Sequence, residues 1–238
     1  MQKLLLLHGA LGSQDHFFAL KEKLSAVFEV YSFNFKGHGA SEMPDFFSIA
    51  NFAAEVRVFL DQNKIEKTSI FGYSMGGYVG LYFAKNFPER VEKVVTLATK
   101  WSWTITGAEQ EVKRLNPTII KQKVPKYANS LEQLHGNSWE LVIEKTAKMM
   151  LQLGANPMFQ NEDFAQMTTP ILLMVGDKDV MVSIEETTKV YRLLPNAQLM
   201  VVPNTQHPID RVNTEELAHQ IIFFHHIEIL KNNQSDQL

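Results

Sequence analysis

Short apolar runs alternate with longer amphipathic segments along this chain, and this alternation restricts the folds open to it. Six short runs are predicted as buried strands: Lys3–Leu7, Val30–Phe35, Thr68–Gly72, Val91–Ala98, Ile171–Val175 and Gln198–Val202. Between them, apolar residues recur at helical spacing, as they do at Phe52, Val56 and Phe59. Strands that alternate with helices indicate βαβ units. The predicted fold class is therefore α/β, with a mostly parallel twisted sheet flanked by helices.

The strand rhythm stops between Thr99 and Met167, where the sequence predicts only helices. The clearest of these helices covers Ser138–Leu153. A helical insertion between two sheet strands predicts a lid over the C-terminal edge of the sheet. The predicted organisation is an α/β core at 1–98 and 168–231, a helical lid insertion at 99–167, and a polar tail at 232–238 that we expect to be disordered.

Composition excludes several classes of function. The 238 residues include 23 basic and 26 acidic side chains, a net charge of -3, which does not indicate a nucleic-acid partner. Cysteine is absent, so disulfides, thiolate metal sites and a cysteine nucleophile are excluded. The apolar run at 4–7 is too short for a signal peptide, and no run approaches the roughly 18 apolar residues of a membrane span. We expect a soluble, unprocessed, cytoplasmic protein that does not bind membranes; its oligomeric state is left open.

The segment Gly72-Tyr73-Ser74-Met75-Gly76-Gly77 lies between a predicted strand and a predicted helix. It matches G-x-S-x-G, in which a serine occupies a sharp strand-to-helix turn that exposes its hydroxyl above the sheet. Glycine on either side avoids clashes with the neighbouring backbone. The positive end of the following helix faces any negative charge that develops at the serine. Ser74 is therefore the predicted nucleophile.

A serine hydroxyl is a weak nucleophile, so it needs a base and a carboxylate that orients the base. In proteins with this motif the acid follows the serine and the histidine comes last. His207 is the histidine that lies in a loop after a late strand, and it is the predicted base. Asp177 and Asp179 both follow the strand at 171–175, at the sheet edge where such folds bind ligands. Either aspartate satisfies this argument.

An oxyanion needs two backbone donors. One is predicted to be the amide of Met75, the residue after the nucleophile. The second is predicted to be the amide of Ala10, with Leu11 as the alternative, in the glycine-containing loop after the first strand. This loop lacks both the dinucleotide-binding spacing and the phosphate-binding lysine, so we predict no nucleotide cofactor. The proposed chemistry needs no metal and no organic cofactor.

Six stretches in this order make the chain resemble the α/β-hydrolase superfamily over nearly its whole length outside the insertion. They are His8-Gly9-x-x-Gly12-Ser13, Gly37-His38-Gly39-Ala40-Ser41, Gly72-Tyr73-Ser74-Met75-Gly76-Gly77, Pro88-Glu89-Arg90-Val91, Gly176-x-x-Asp179 and His207. The Gly-x-x-Asp match implies that the acid is Asp179 rather than Asp177. The resemblance also implies that His38 is structural. Asn34 stands where the family usually has an aspartate, a departure expected to affect local hydrogen bonding only.

The same resemblance narrows the chemistry by exclusion. Ser74 differs from the aspartate nucleophile of the dehalogenases and epoxide hydrolases. Tyr78 replaces the arginine of the menaquinone-pathway lyases, and Tyr73 replaces the asparagine common in C–C bond hydrolases. The remaining expectation is a serine hydrolase, an esterase that cleaves a small, mostly apolar carboxylic ester. Its substrate pocket is predicted from these residues: Leu11, Trp101, Trp103, Met149 and Val180.

Two alternatives stay open at this point. A C–C bond hydrolase or lyase could use the same three side chains, and Arg114 is the arginine in the insertion that could bind a substrate carboxylate. A non-catalytic small-molecule receptor could also use this fold, because a fold does not determine a function.

Overall fold

A single parallel sheet organises the molecule. The computed structural model describes the backbone of residues 1–235 and the side chains of residues 1–225. Six strands pair in the order β2-β1-β3-β4-β5-β6, and every pairing is parallel. Their bounds are β1 Gln2–Leu7, β2 Phe28–Ser32, β3 Thr68–Tyr73, β4 Val91–Leu97, β5 Ile171–Gly176 and β6 Ala197–Val202. The predicted α/β fold with a parallel sheet is confirmed.

Helices cover both faces of this sheet. Their bounds are α1 Phe18–Leu24, α2 Ile49–Gln62, α3 Met75–Asn86, α4 Ile105–Val112, α5 Pro117–Lys123, α6 Pro125–His135, α7 Trp139–Ala155, α8 Asn161–Gln166, α9 Ile184–Leu193 and α10 Thr214–Ser235. Two apolar clusters, one on each face, bury the sheet between the helices. Among the described residues, no helix combines the length and apolar character needed to cross a membrane.

Strand β2 lies earlier in the chain than the predicted run Val30–Phe35. It covers Phe28–Ser32, with Leu4 opposite Val30 in the register. Phe35 is fully buried outside the strand, where its amide donates to Nε2 of the buried His8 at 3.1 Å. The predicted run extended beyond the strand because Phe35, the last apolar residue of the run, packs in the core although it lies in a loop.

Five helices, α4 to α8, lie between β4 and β5, in the region where the sequence predicts a helical insertion. Helix α7 is the longest of the five and packs most extensively on α4. Its apolar face buries Val142, Ile143 and Met149. At the other end of the chain, α10 continues to Ser235 and so includes the first four residues of the tail at 232–238 that was expected to be disordered, whereas residues 236–238 lie outside the described residues.

Helix α3 lies against the sheet at a distance that only glycine permits at Gly76. A Cβ atom at this position would lie 2.0 Å from the carbonyl oxygen of Leu7 and 2.7 Å from that of His8. Both neighbours are backbone atoms, so neither can rotate away. The glycine therefore sets how closely the helix that follows Ser74 approaches strand β1.

We expect Gly76→Ala to lower the free energy of unfolding by about 3 kcal/mol or more, because α3 or β1 must shift to accept the methyl group. Urea unfolding monitored by circular dichroism measures this loss. Gly107→Ala is the matched control in helix α4, since its Cβ would meet only the Thr104 side chain, at 3.0 Å. Alanine favours helices by about 1 kcal/mol over glycine, so the control should be neutral or stabilising. Equal losses in the two variants would contradict this account.

Candidate active site

Ser74 lies between β3 and α3 in a strained backbone conformation. Its φ of 52° and ψ of -117° are unusual for a residue with a side chain. The amide of Ser74 donates to the carbonyl of Leu97 at 2.8 Å, and Thr99 Oγ1 donates to the carbonyl of Ser74 at 3.1 Å. These bonds tie the turn to the end of β4. Ser74 thus occupies a strained turn between a strand and a helix, which is the local structure typical of this pentapeptide.

Three side chains from three separate loops form a continuous hydrogen-bonded chain. The Ser74 hydroxyl lies 3.3 Å from Nε2 of His207. The Nδ1–H of His207 donates to Oδ2 of Asp179 at 2.8 Å. Because Nδ1 carries the proton in this bond, Nε2 is free to accept the serine proton. The structure thus brings together the predicted nucleophile, base and acid.

The carboxylate of Asp179 is held in its ionised form. Burial is the largest single influence and opposes ionisation, but the hydrogen bond and the charge of His207, together with two backbone amides, outweigh it, so the pKa of Asp179 lies below its ordinary value. The amides of Met181 and Val182 also donate to Oδ1, at 2.8 and 2.9 Å. Two backbone amides therefore fix Oδ1, while Oδ2 accepts the hydrogen bond from the imidazole.

Asp177 has a different environment, although it lies only two residues earlier. Its Oδ1 accepts the amide of Thr205 at 3.0 Å, and the residue is exposed. It therefore shapes the turn that leads to His207, without a hydrogen bond to the imidazole. The geometry thus separates the two aspartates that the residue pattern alone left equivalent.

Tyr73, the residue before Ser74, contributes a contact that sequence reasoning missed. Its hydroxyl donates to the carbonyl oxygen of His207 at 2.9 Å. The ring is buried, and burial raises the pKa of its phenol well above the ordinary value. The phenol therefore stays a neutral donor that holds the backbone of the histidine loop next to the serine turn. No local signal in the sequence predicts this contact, because the partner is 134 residues away.

Buried histidines hold the loop that follows β1. His8 donates through Nδ1 to the carbonyl of Gly9 at 2.9 Å, and burial lowers its pKa from 6.5 to about 3. His135, at the end of α6, donates through Nε2 to the carbonyl of Leu11 at 3.0 Å. Its Nδ1 accepts the amide of Gly39 at 3.0 Å. His135 thus connects the helical insertion to the loop that carries Ala10, a role that its position in the sequence did not reveal.

The two predicted oxyanion residues come from separate segments, Ala10 from the loop after β1 and Met75 from the start of α3. Ala10 and Met75 both line the same cavity as Ser74 and His207. Met75 is the first residue of α3, so its amide has no acceptor within the helix. Leu11, the alternative donor, is buried with a φ of 58°, and it is not among the lining residues.

The cavity beside Ser74 is small and mostly apolar. Its volume is about 50 Å³. Helices α2, α3, α4 and α7 and the loops after β1, β3, β4, β5 and β6 supply its wall. The wall consists of these residues: Ala10, Ile49, Ser74, Met75, Tyr78, Lys100, Trp103, Glu111, Met149, Met150, Leu153, Met181, Val182 and His207. A water molecule needs roughly 10–15 Å³ on this measure, so the space matches a ligand portion of a few heavy atoms.

Two of the five predicted pocket residues, Trp103 and Met149, line this cavity, and the other three are corrections. Trp101 is buried away from it, with its ring stacked on Tyr78 at 5.9 Å between centroids. Val180 is 84% exposed, because the amides of its neighbours turn inward to Asp179 and its own side chain points out. Leu11 packs in the core.

Arg114, the arginine considered for a substrate carboxylate, is exposed and does not line the cavity. Asn34 accepts the amide of Gln14, 20 residues earlier in the chain, at 2.7 Å and donates to the carbonyl of Gly39 at 3.2 Å. His38 is fully buried and is not among the residues that line the cavity. The cavity residues that the sequence did not suggest include Lys100 and Glu111. The position of Lys100 just beyond β4, at the edge of the sheet, is a signal that could have placed it in the cavity, whereas Glu111 has no such signal.

Comparison with known proteins agrees with this architecture. Residues 3–116 match the family model described as alpha/beta hydrolase fold. The sn-1-specific diacylglycerol lipase ABHD11 of Xenopus laevis is 22% identical over 249 residues, covering 93% of this chain and 78% of that protein. A thermophilic esterase from Thermogutta terrifontis superimposes with a TM-score of 0.76 at 20% identity, covering 98% of this chain and 90% of the other.

The enol-lactonase from Burkholderia xenovorans LB400 gives a TM-score of 0.75 at 16% identity, covering 94% of this chain and 90% of the other. At such identities a structural likeness establishes the fold alone. Several further curated relatives match over 95–99 residues only, which is 28–35% of their own length. The chain has the α/β-hydrolase fold, and its N-terminal half matches the model of that family.

Proposed function

We propose that this protein is a serine hydrolase that cleaves short carboxylic esters through an acyl-enzyme. The observation that carries the proposal is the hydrogen-bonded chain from Ser74 through His207 to Asp179, which opens onto a small, mostly apolar cavity. The lipase and esterase among the similar proteins support ester cleavage as the reaction class.

In the proposed mechanism, Nε2 of His207 takes the proton of the Ser74 hydroxyl as its oxygen attacks the ester carbonyl. The amides of Ala10 and Met75 stabilise the negative charge on the carbonyl oxygen. The imidazolium then protonates the leaving alcohol. Water, activated by His207, attacks the acyl-enzyme and releases the acid. Asp179 keeps Nδ1 protonated and stabilises the imidazolium throughout.

The size of the cavity supports a short substrate. A space of about 50 Å³ accommodates a few carbon atoms. Long acyl chains would need the helices of the insertion to move apart. We therefore expect the specificity of this enzyme to lie with short acyl groups, and the helical insertion to act as the lid that sets this limit.

Hydrolysis of p-nitrophenyl esters from acetate to dodecanoate tests the proposal. We expect kcat/KM to peak between two and four acyl carbons and to fall about 100-fold by ten carbons. Met149→Ala, which removes a wall residue, should move the optimum towards longer chains. Met167→Ala is the matched control, because Met167 is also buried, at 5% exposure, but does not line the cavity. The chain-length optimum of this variant should equal that of the wild type.

Absence of turnover across the whole series would contradict the proposed function. Turnover that rises steadily up to dodecanoate would retain the esterase but contradict the size limit. An optimum that moves equally in Met149→Ala and Met167→Ala would show that the limit comes from general loosening of the fold and not from this wall.

A further inference from the structure

One ion pair stands out in the cavity wall because the surrounding residues are mostly apolar. Lys100 Nζ lies 3.3 Å from Glu111 Oε1, and the two side chains are only 21% and 16% exposed. Lys100 belongs to the loop after β4, whereas Glu111 belongs to helix α4 of the insertion. Both residues line the same cavity as Ser74 and His207.

Hydrogen-bonding capacity remains at this position after the ion pair is formed. Lys100 Nζ has three protons; besides Glu111 it approaches the carbonyl of Met181 at 3.4 Å. The neighbouring Trp103 has its ring centroid 5.9 Å from Nζ, and its buried indole N–H has no hydrogen-bond acceptor among the described residues. A buried donor without an acceptor costs about 1–3 kcal/mol, so a group that supplies an acceptor is favoured there.

Stability alone gives a weak reason for this arrangement. Taking a lysine and a glutamate out of water costs more than their attraction returns in many proteins, and apolar residues of similar size often replace such pairs without loss. The ion pair lines the cavity, so it places polar groups in a wall that is otherwise mostly apolar. It offers donors at Lys100 and Trp103 and an acceptor at Glu111.

We propose that Lys100, Glu111 and Trp103 form a subsite for a hydroxyl group on the substrate, so that the preferred esters are short hydroxylated esters. This inference rests on the proposed function. A hydroxyl is both acceptor and donor: its oxygen accepts from Lys100 or Trp103, and its hydrogen is donated to Glu111. A carboxylate fits less well, because it would face the negative charge of Glu111. A methyl group leaves the indole N–H of Trp103 without an acceptor and adds no hydrogen bond to the ion pair of Lys100 and Glu111.

Matched ester pairs that differ only by hydroxyl against methyl test the subsite. Ethyl 3-hydroxybutanoate is compared with ethyl 3-methylbutanoate, and 2-hydroxyethyl butanoate with propyl butanoate. We expect kcat/KM to favour the hydroxyl ester about tenfold or more in at least one pair, since a site built for a hydroxyl rejects the analogue that lacks it. Monoethyl succinate, which carries a carboxylate, should be the poorest substrate.

The double variant Lys100→Met/Glu111→Leu should reverse the preference, so that the methyl ester of the pair becomes the better substrate. The ratio of two kcat/KM values on one enzyme is unaffected by how much of the protein is folded, so a merely structural role of the ion pair would not change it. Glu111→Gln removes the negative charge, and we expect it to raise the turnover of monoethyl succinate relative to the neutral esters.

The exposed ion pair between Lys121 and Glu140 provides the control, since both residues lie in the insertion and neither lines the cavity. Lys121→Met/Glu140→Leu should leave every ratio as in the wild type. A wild-type preference below about twofold in both pairs would overturn the subsite, as would a preference for monoethyl succinate. Failure of the wild type to hydrolyse any ester would instead overturn the proposed function.

Discussion

Replacing Ser74 with alanine is expected to lower kcat for p-nitrophenyl butanoate by at least about 10⁴-fold. The variant loses the oxygen that attacks the carbonyl, and only substrate binding and the oxyanion donors remain to accelerate hydrolysis. The fold should be retained, because alanine and serine bear a similar strain at a φ of 52°. Steady-state kinetics and thermal unfolding of the same preparation measure the two effects.

Ser102→Ala is the matched control for this experiment, because Ser102 is an exposed serine in the loop after β4. It should retain activity within about twofold. A fluorophosphonate probe should add its mass to the wild type on the peptide that contains Ser74, and not to Ser74→Ala. A loss of activity below about tenfold in Ser74→Ala, or labelling of a different serine, would contradict the assignment of the nucleophile.

The second large effect is expected at Asp179. Asp179→Asn should lower kcat by about 10³- to 10⁴-fold with a small change in KM, because asparagine neither stabilises the imidazolium nor holds the proton on Nδ1 of His207. The hydrogen bond at 2.8 Å between the imidazole and Oδ2 is the interaction removed. Stopped-flow measurement of the p-nitrophenol burst would show the loss in the acylation step.

Asp177→Asn is the matched control, because Asp177 lies only two residues before Asp179 but has a different hydrogen-bond partner. Asp177 accepts the amide of Thr205 at 3.0 Å and does not contact the imidazole. An asparagine oxygen can accept the same amide, so we expect less than about a fivefold loss of kcat. If Asp177→Asn proved the more damaging variant, the acid would be assigned to Asp177 and the proposed mechanism would change accordingly.

Local sequence patterns predicted the elements that carry this chemistry, with errors at their ends. The turn at Ser74 was predictable because an apolar strand, flanking glycines and the start of a helix occur within a few residues of each other. Each of these signals depends on local backbone geometry. Strand β2 was misplaced because Phe35 is buried for a tertiary reason, a contact with His8 across 27 residues. Apolar character reports burial, and it does not distinguish a strand from a packed loop.

The pocket was the least predictable part. Val180 and Trp101 both flank the site in the sequence, yet one is exposed and the other packs on Tyr78. The direction of a side chain in a loop depends on which neighbouring amides are held, and these bonds come from distant segments. Glu111 could not have been assigned to the cavity, because the placement of α4 over the sheet depends on its packing against α7.

The amino-acid sequence by itself determined the parallel α/β architecture and the positions of Ser74 and His207, because periodicity, glycine placement and strand-to-helix turns act over short distances. The family resemblance already implied Asp179 as the acid, whereas only the tertiary structure decided which residues line the cavity and that Lys100 meets Glu111 there. These features join segments that are far apart in the chain, and their relative placement follows from the packing of whole helices on the sheet.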